Sequence, residues 1–252
     1  MTNGFIWYEL LAKDVDAAQK FYGAVVGYTV IPPATADLDY RMWAHGDIVL
    51  GGVMALPDAA KAAGMQPCWL GYIAVPDVDE AVDAILASGG AVRMRAMTVP
   101  NIGRLALVSD PQGAAFYVMM PKHGGSFTSL GQKRGQCGWN ELHTTDSAAA
   151  LAFYVKQFGW ENTSNMDMGA MGTYHMFNTG AGDPVGGIMS NPEVPHPAWL
   201  FYFNVEDIAA AKTRVETNGG RVLFGPQQVP GGLWIITAID PEGATFALIA
   251  PK

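Results

Sequence analysis

The chain states one pattern twice. WYELLAKDVDAAQKFYGAVVGY at residues 7–28 returns as WNELHTTDSAAALAFYVKQFGW at 139–160, with Glu9/Glu141, Asp14/Asp146, Phe21/Phe153 and Gly27/Gly159 each 132 residues apart. The match runs on with small slips: Tyr40 with Tyr174, GGVM at 51–54 with GGIM at 186–189, and PCWLGYIAVPD at 67–77 with PAWLFYFNVED at 197–207. Gly89-Gly90 pairs with Gly219-Gly220, DPQGAAF at 110–116 with DPEGATF at 240–246, and each half closes on Pro-Lys. A period this long is not that of a solenoid. It describes a duplicated domain, residues 1–122 and 138–252, joined by a Gly/Ser-rich linker over 123–137.

Within a half the order reads strand, helix, strands, then strand, helix, strands again. Residues 5–11 alternate as a strand does. Asp14 is placed to cap a helix whose apolar residues Val15, Ala18, Phe21, Tyr22 and Val25 recur at helical spacing, and Gly27 ends it. Strands are expected near 28–31, 38–45 and 46–55, then 69–75. A helix over 78–88 opens on Asp77 and stops at Gly89-Gly90, and strands follow at 91–97, 103–109 and 114–120. The DPxG segments place Asp, Pro and Gly where a tight turn favours each, which gives them a structural role. Each half is two βαβββ modules and the chain is four, an α+β fold.

The bulk numbers exclude several functions. With 15 Lys and Arg against 23 Asp and Glu the net charge is −8, so neither nucleic acid nor an anionic membrane is an expected partner. No apolar run reaches the roughly 18 residues of a membrane span. FIWYELLA near the start carries Glu9 and recurs internally, so it belongs to the fold rather than to a secretory signal. Cys68 and Cys137 make no disulfide framework and lack zinc-site spacing. The expectation is a cytoplasmic protein, monomer or homodimer, whose partner is a small molecule.

The module order, with D-x-x-x-A-x-x-FY-x-x-x-x-G-[YW] after the first strand and DP-x-G before the last, resembles the vicinal oxygen chelate superfamily. That is the glyoxalase, bleomycin resistance protein and extradiol dioxygenase group, and the W-x-E-L opening is most similar to its two-domain glyoxalase-like members. The resemblance covers nearly the whole chain. It implies tandem domains whose mixed sheets curve into cups for a small ligand, with a divalent metal held by His and Glu/Gln in enzymatic members. Carried onto this sequence, the ligand positions fall on Trp7 and Trp139, Val53 and Ile188, Leu70 and Leu200, and Tyr117 and Ala247. Indole, aliphatic and methyl side chains offer a metal no lone pair, and a neutral phenol is a poor ligand. The expectation is therefore no cofactor and no metal ligands at these positions.

Strand parity then says what lines the cups. Trp7 brings Glu9 and Leu11 with it, and Trp139 brings Glu141 and His143; Leu70 brings Tyr72 and Ala74, and Leu200 brings Tyr202 and Asn204. Tyr117 and Ala247 lie on the last strands. Arg104 and Trp234 match each other on the seventh strands without a parity that sequence can assign. Trp69 and Trp199 face away, into the core. Glu9 and Glu141 are acids within apolar strands, and two readings stay open: a carboxylate satisfied inside the fold, or a ligand-binding group or general base. His143 is the innovation of the second copy, where the first has Leu11.

Two functions follow. One is a binding protein with an aromatic, metal-free cup, with Glu141 and His143 as polar anchors and Glu9, Trp7, Trp139, Tyr72, Tyr202, Asn204, Tyr117, Trp234 and Arg104 as further ligand-binding residues. The other is a lyase, isomerase or dioxygenase-type enzyme using Glu141 and His143 as acid and base, or as an atypical metal site with His175. No phosphate loop, HExxH or GxSxG motif occurs.

Overall fold

The computed structural model describes residues 3–32, 39–62, 64–122, 129–180 and 182–251. His123 and the opening of the linker lie outside the described residues. The first half runs β1 (Phe5–Ala12), α1 (Val15–Val25), β2 (Thr29–Ile31), β3 (Tyr40–His45), β4 (Ile48–Ala55), α2 (Asp58–Ala62), β5 (Cys68–Ala74), α3 (Val78–Ala87), β6 (Ala91–Val99), β7 (Gly103–Ser109) and β8 (Ala115–Pro121). The second runs β9 (Cys137–Thr144), α4 (Ser147–Phe158), β10 (Glu161–Asp167), β11 (Thr173–Asn178), β12 (Gly186–Ser190), β13 (Ala198–Asn204), α5 (Ile208–Thr217), β14 (Arg221–Gln228), β15 (Trp234–Ile239) and β16 (Thr245–Ala250).

Two eight-stranded sheets result, in the orders β2-β3-β4-β1-β5-β8-β7-β6 and β10-β11-β12-β9-β13-β16-β15-β14. Both are mixed. The βα crossovers leave β1 parallel to β4 and β9 parallel to β12, while the hairpins β3–β4 and β11–β12 are antiparallel. The one-turn α2 and a 3-10 turn at Gly169–Met171 have no apolar signature, because neither buries a residue. Among the described residues no helix is long and apolar enough to cross a membrane.

Helix starts follow from their caps: Asp14 accepts from the N–H groups of Asp16 and Ala17, and Asp77 from those of Asp79 and Glu80. The α1 stripe Val15, Ala18, Phe21, Tyr22 and Val25 is buried throughout. Helix α3 lies on β6–β8, α4 on β10–β12 and α5 on β14–β16.

The repeated motifs are explained by two buried relays that the sequence does not display. Trp69 Nε1 donates to Tyr22 Oη (2.8 Å), whose hydroxyl donates to Asp240 Oδ2 (3.1 Å). In the same way Trp199 Nε1 donates to Tyr154 Oη (3.1 Å), which donates to Asp110 Oδ2 (3.2 Å). Each joins the FY tyrosine of one half to the DPxG aspartate of the other. Asp110 Oδ1 also accepts the N–H groups of Gln112, Gly113 and Ala114 at 2.8–2.9 Å. The aspartate therefore closes its turn and terminates a relay from the other half.

Because of such exchanges, the compact packing units are not the sequence halves. One gathers residues 3–6 and 71–122 with 139–200, and the other gathers 7–70 with 201–251 and the end of the linker. The sheets follow the repeat, whereas the helix-side cores combine modules from both copies.

Candidate functional site

Strand β9 alternates as its sequence predicts. Asn140, Leu142 and Thr144 are fully buried on one face, and Trp139, Glu141 and His143 lie on the other. In the parallel ladder Gly187 of β12 sits opposite Glu141, and Met189 sits opposite His143. Tyr174 on β11 reaches across to the same carboxylate.

The hydrogen bonds have a fixed direction, because each end of the chain is a group that can only donate. At one end the backbone N–H of Glu193 donates to Asn191 Oδ1 (3.0 Å), an Asx turn that orients the amide. Asn191 Nδ2 therefore faces His143 Nδ1 (2.8 Å) and donates to its lone pair. The imidazole then carries its proton on Nε2 and donates to Glu141 Oε1 (2.7 Å). At the other end Trp139 Nε1 donates to Tyr174 Oη (2.7 Å), whose hydroxyl donates to Glu141 Oε2 (2.7 Å). Both branches converge on one carboxylate. Burial, reinforced by the Glu141 charge and hydrogen bond, pushes the Tyr174 phenol well above its ordinary value. It stays a donor.

This arrangement assigns roles that parity alone leaves open. In this geometry the His143 Nδ1 lone pair accepts from Asn191, and its Nε2–H is turned toward Glu141. The acceptor of the cluster is Glu141. His175 does not join it. One residue on from Tyr174, it projects from the opposite face and contacts Asn165 Oδ1 (2.8 Å). Among the described residues no group of three His, Cys, Asp or Glu side chains is placed to hold a metal. The donor set here, with indole and phenol hydrogens turned inward, does not fit one.

In the first copy Trp7 Nε1 donates to Tyr40 Oη (2.8 Å) and Gly52 lies opposite Glu9, so that arm is repeated. The difference lies beyond the glutamate. Leu11 and Leu56, both buried, stand where the second copy has His143 and Asn191. The backbone equivalence is direct: Leu56 N–H bonds to Ala12 O, and Asn191 N–H bonds to Thr144 O. An apolar pair has become a polar one. Near Glu9, burial and then the Glu9 charge push the Cys68 thiol up to about 12, so it offers no thiolate at neutral pH.

The other expected site residues have contacts of their own. Tyr72 and Tyr117 stack, with centroids 4.2 Å apart and planes at 17°. Tyr202 is buried on β13, opposite Ala247 in the parallel ladder. The Asn204 amide donates to the carbonyls of Gly131 and Gln136 (2.8 and 2.9 Å), which fastens the linker. Arg104 is held from another element. Its guanidinium binds both oxygens of Asp79 in the first turn of α3 (2.7 and 2.8 Å), on the helix-covered face. Trp234, at the matching position of β15, shares the parity of the buried Ile236 and Ala238 rather than that of the opposite face. An open groove between α1 and β2, lined by Asp16, Lys20 and Tyr28 among others, contains none of these residues.

Sequence reading misses Tyr174, Gly187 and Asn191 as site residues. The signals were there. Tyr40/Tyr174 and the glycine pairs are kept in both copies, and continuing the comparison aligns Leu56-Pro57-Asp58 with Asn191-Pro192-Glu193. The glycines are steric: a Cβ on Gly187 would overlap the Tyr174 ring, and one on Gly52 would overlap Tyr40. Gly187→Ala should therefore displace Tyr174 and cost about 2–3 kcal/mol through overpacking and the lost hydrogen bond to a charged group. The Trp139 indole N–H resonance checks this, since it should move upfield as its bond to Tyr174 is lost.

Comparison with known proteins places the fold. A profile of the Glyoxalase/Bleomycin resistance protein/Dioxygenase superfamily matches residues 136–248, and one for bleomycin resistance protein-like N-terminal segments matches 5–40. The proposed glyoxylase CFP32 of Mycobacterium tuberculosis is 33% identical over 249 residues, which span 97% of this chain and 94% of that protein. The anthracycline biosynthesis protein DauV of Streptomyces sp. (strain C5) is 29% identical over 262 residues, 96% of this chain and 91% of its own. Among solved structures, the Mn(II)-bound glyoxalase from Novosphingobium aromaticivorans superposes with a TM-score of 0.69 at 15% identity, over 99% of this chain and 82% of that one. The 2,3-dioxygenase LapB from Pseudomonas sp. KL28 gives 0.67 at 14% identity, over 98% and 91%. At such identities the structures speak for the fold alone; with the profile matches and the full-length relative, the chain belongs to the glyoxalase/bleomycin resistance protein/dioxygenase superfamily, the vicinal oxygen chelate group.

Proposed function

We propose that this protein binds a small organic ligand without a metal, at the Glu141–His143–Tyr174 cluster of its second half. The observation that carries this reading is the convergence of two donor branches on one carboxylate, in the only copy where His and Asn replace two leucines. A duplicated fold needs no such replacement for stability, since the leucine pair packs well in the first copy. The names of the relatives, a proposed glyoxylase and an anthracycline biosynthesis protein, accord with small-molecule work. A second reading rests on the same convergence: Glu141 takes a proton from the bound ligand as a general base, with His143 and Tyr174 holding the carboxylate in position.

The test is a melting-shift screen of small metabolites, run with and without EDTA on wild type and on the double variant His143→Leu, Asn191→Leu, which restores the first-copy pair. A ligand that raises the wild-type Tm should do so equally in EDTA and should lose its effect in the double variant, itself still folded. A shift that needs metal, or that survives in the double variant, overturns the proposal. Turnover of the ligand would favour the second reading over simple binding.

A further inference from the structure

The hydrogen-bond directions also say which kind of ligand the cluster selects, an inference that rests on the binding reading. The hydrogens of Trp139 Nε1, Tyr174 Oη and His143 Nε2 are all turned toward other members of the cluster. Asn191 commits one amide hydrogen to His143 and its oxygen to Glu193 N–H, so its second amide hydrogen is the one donor not directed inward. What a carboxylate offers a ligand is acceptance and negative charge. The same module is poor in basic residues. The strands β9, β10, β11 and β12 contain no Lys or Arg, and the sole cation between residues 137 and 200 is Lys156. Its ammonium is on α4, bonded to Ser88 Oγ (3.0 Å).

We infer that the ligand presents a hydrogen-bond donor to Glu141, as a neutral hydroxyl or amine or as an ammonium group, and that carboxylates and phosphates are excluded. An anion brought to this site would lose water to meet a like charge, and like-charge juxtaposition across an interface disfavours binding. A hydroxyl or ammonium would instead gain a charge-assisted bond to an acceptor already held in place.

The experiment uses matched fragments that share one ring: benzyl alcohol, benzylammonium and benzoate, with a panel of further alcohol, ammonium and carboxylate trios on other rings. Each is titrated into the full chain while the Trp139 indole N–H and the His143 ring resonances are followed by NMR. The alcohol and ammonium members of at least one trio should move these resonances, and the matching carboxylate should bind about tenfold more weakly or not at all. In Glu141→Gln the preference for ammonium over carboxylate should collapse. If carboxylates move the cluster resonances as strongly as their partners, the donor rule is wrong while binding at this cluster stands. If no member of any trio perturbs the cluster in the folded protein, both the rule and the binding reading fall.

Discussion

Asp110→Ala should lower the melting temperature by roughly 8–16 °C, the consequence of losing about 4 kcal/mol in a protein of this size. One carboxylate accepts the Tyr154 hydroxyl and three turn N–H groups. Truncation leaves these donors unsatisfied, with Tyr154 fully buried. Asp110→Asn keeps an acceptor for the turn and should cost far less. A loss under about 1 kcal/mol in the alanine variant would mean that water replaces the carboxylate, which the burial argues against.

The pH dependence of that penalty has a definite sign. Burial holds Asp110 and Asp240 above the usual carboxylate range, and the turn N–H groups and the relay tyrosines only partly oppose it. A raised native value means that the folded protein holds the proton more tightly than the unfolded chain does. The contribution of each group is complete below the unfolded value of about 3.9 and is lost as pH rises through the native value. Asn carries no such proton. The destabilisation by Asp110→Asn, read from denaturant melts, should therefore shrink between pH 4 and neutrality. A penalty that grows with pH would show that the folded state favours the charge.

Glu141→Gln should weaken ligand binding by roughly 10- to 100-fold, the loss of about 1.5–3 kcal/mol that a hydrogen bond to a charged group supplies. Two donors face this side chain, Tyr174 Oη–H and His143 Nε2–H. A carboxamide has one oxygen to meet them, so its NH2 must oppose the other. Glu9→Gln should do markedly less to binding, because the first copy keeps the Trp7–Tyr40 arm but has Leu11 and Leu56 in place of the His–Asn branch. Equal damage from both changes, or loss of stability alone, would make the two glutamates structural elements of the repeat.

These outcomes divide what could be read along the chain from what could not. The sequence by itself determined the duplication, the βαβββ order, the helix caps and the pairing of Glu141 with His143 on one strand face. Each of these is local: a period of two, a period near 3.6, a capping side chain or a comparison of two copies. The tertiary structure alone decided that Tyr22 and Tyr154 end on the turn aspartates of the opposite halves. It also set Arg104 on the helix face with Asp79, gave Asn204 to the linker and kept His175 out of the cluster. The direction of the His143 hydrogen bonds was set at a greater remove, by a backbone N–H at Glu193 that orients Asn191. Strand alternation fixes which face a side chain takes, but the direction of a hydrogen bond depends on which partner the folded chain brings to each atom. No periodicity encodes that.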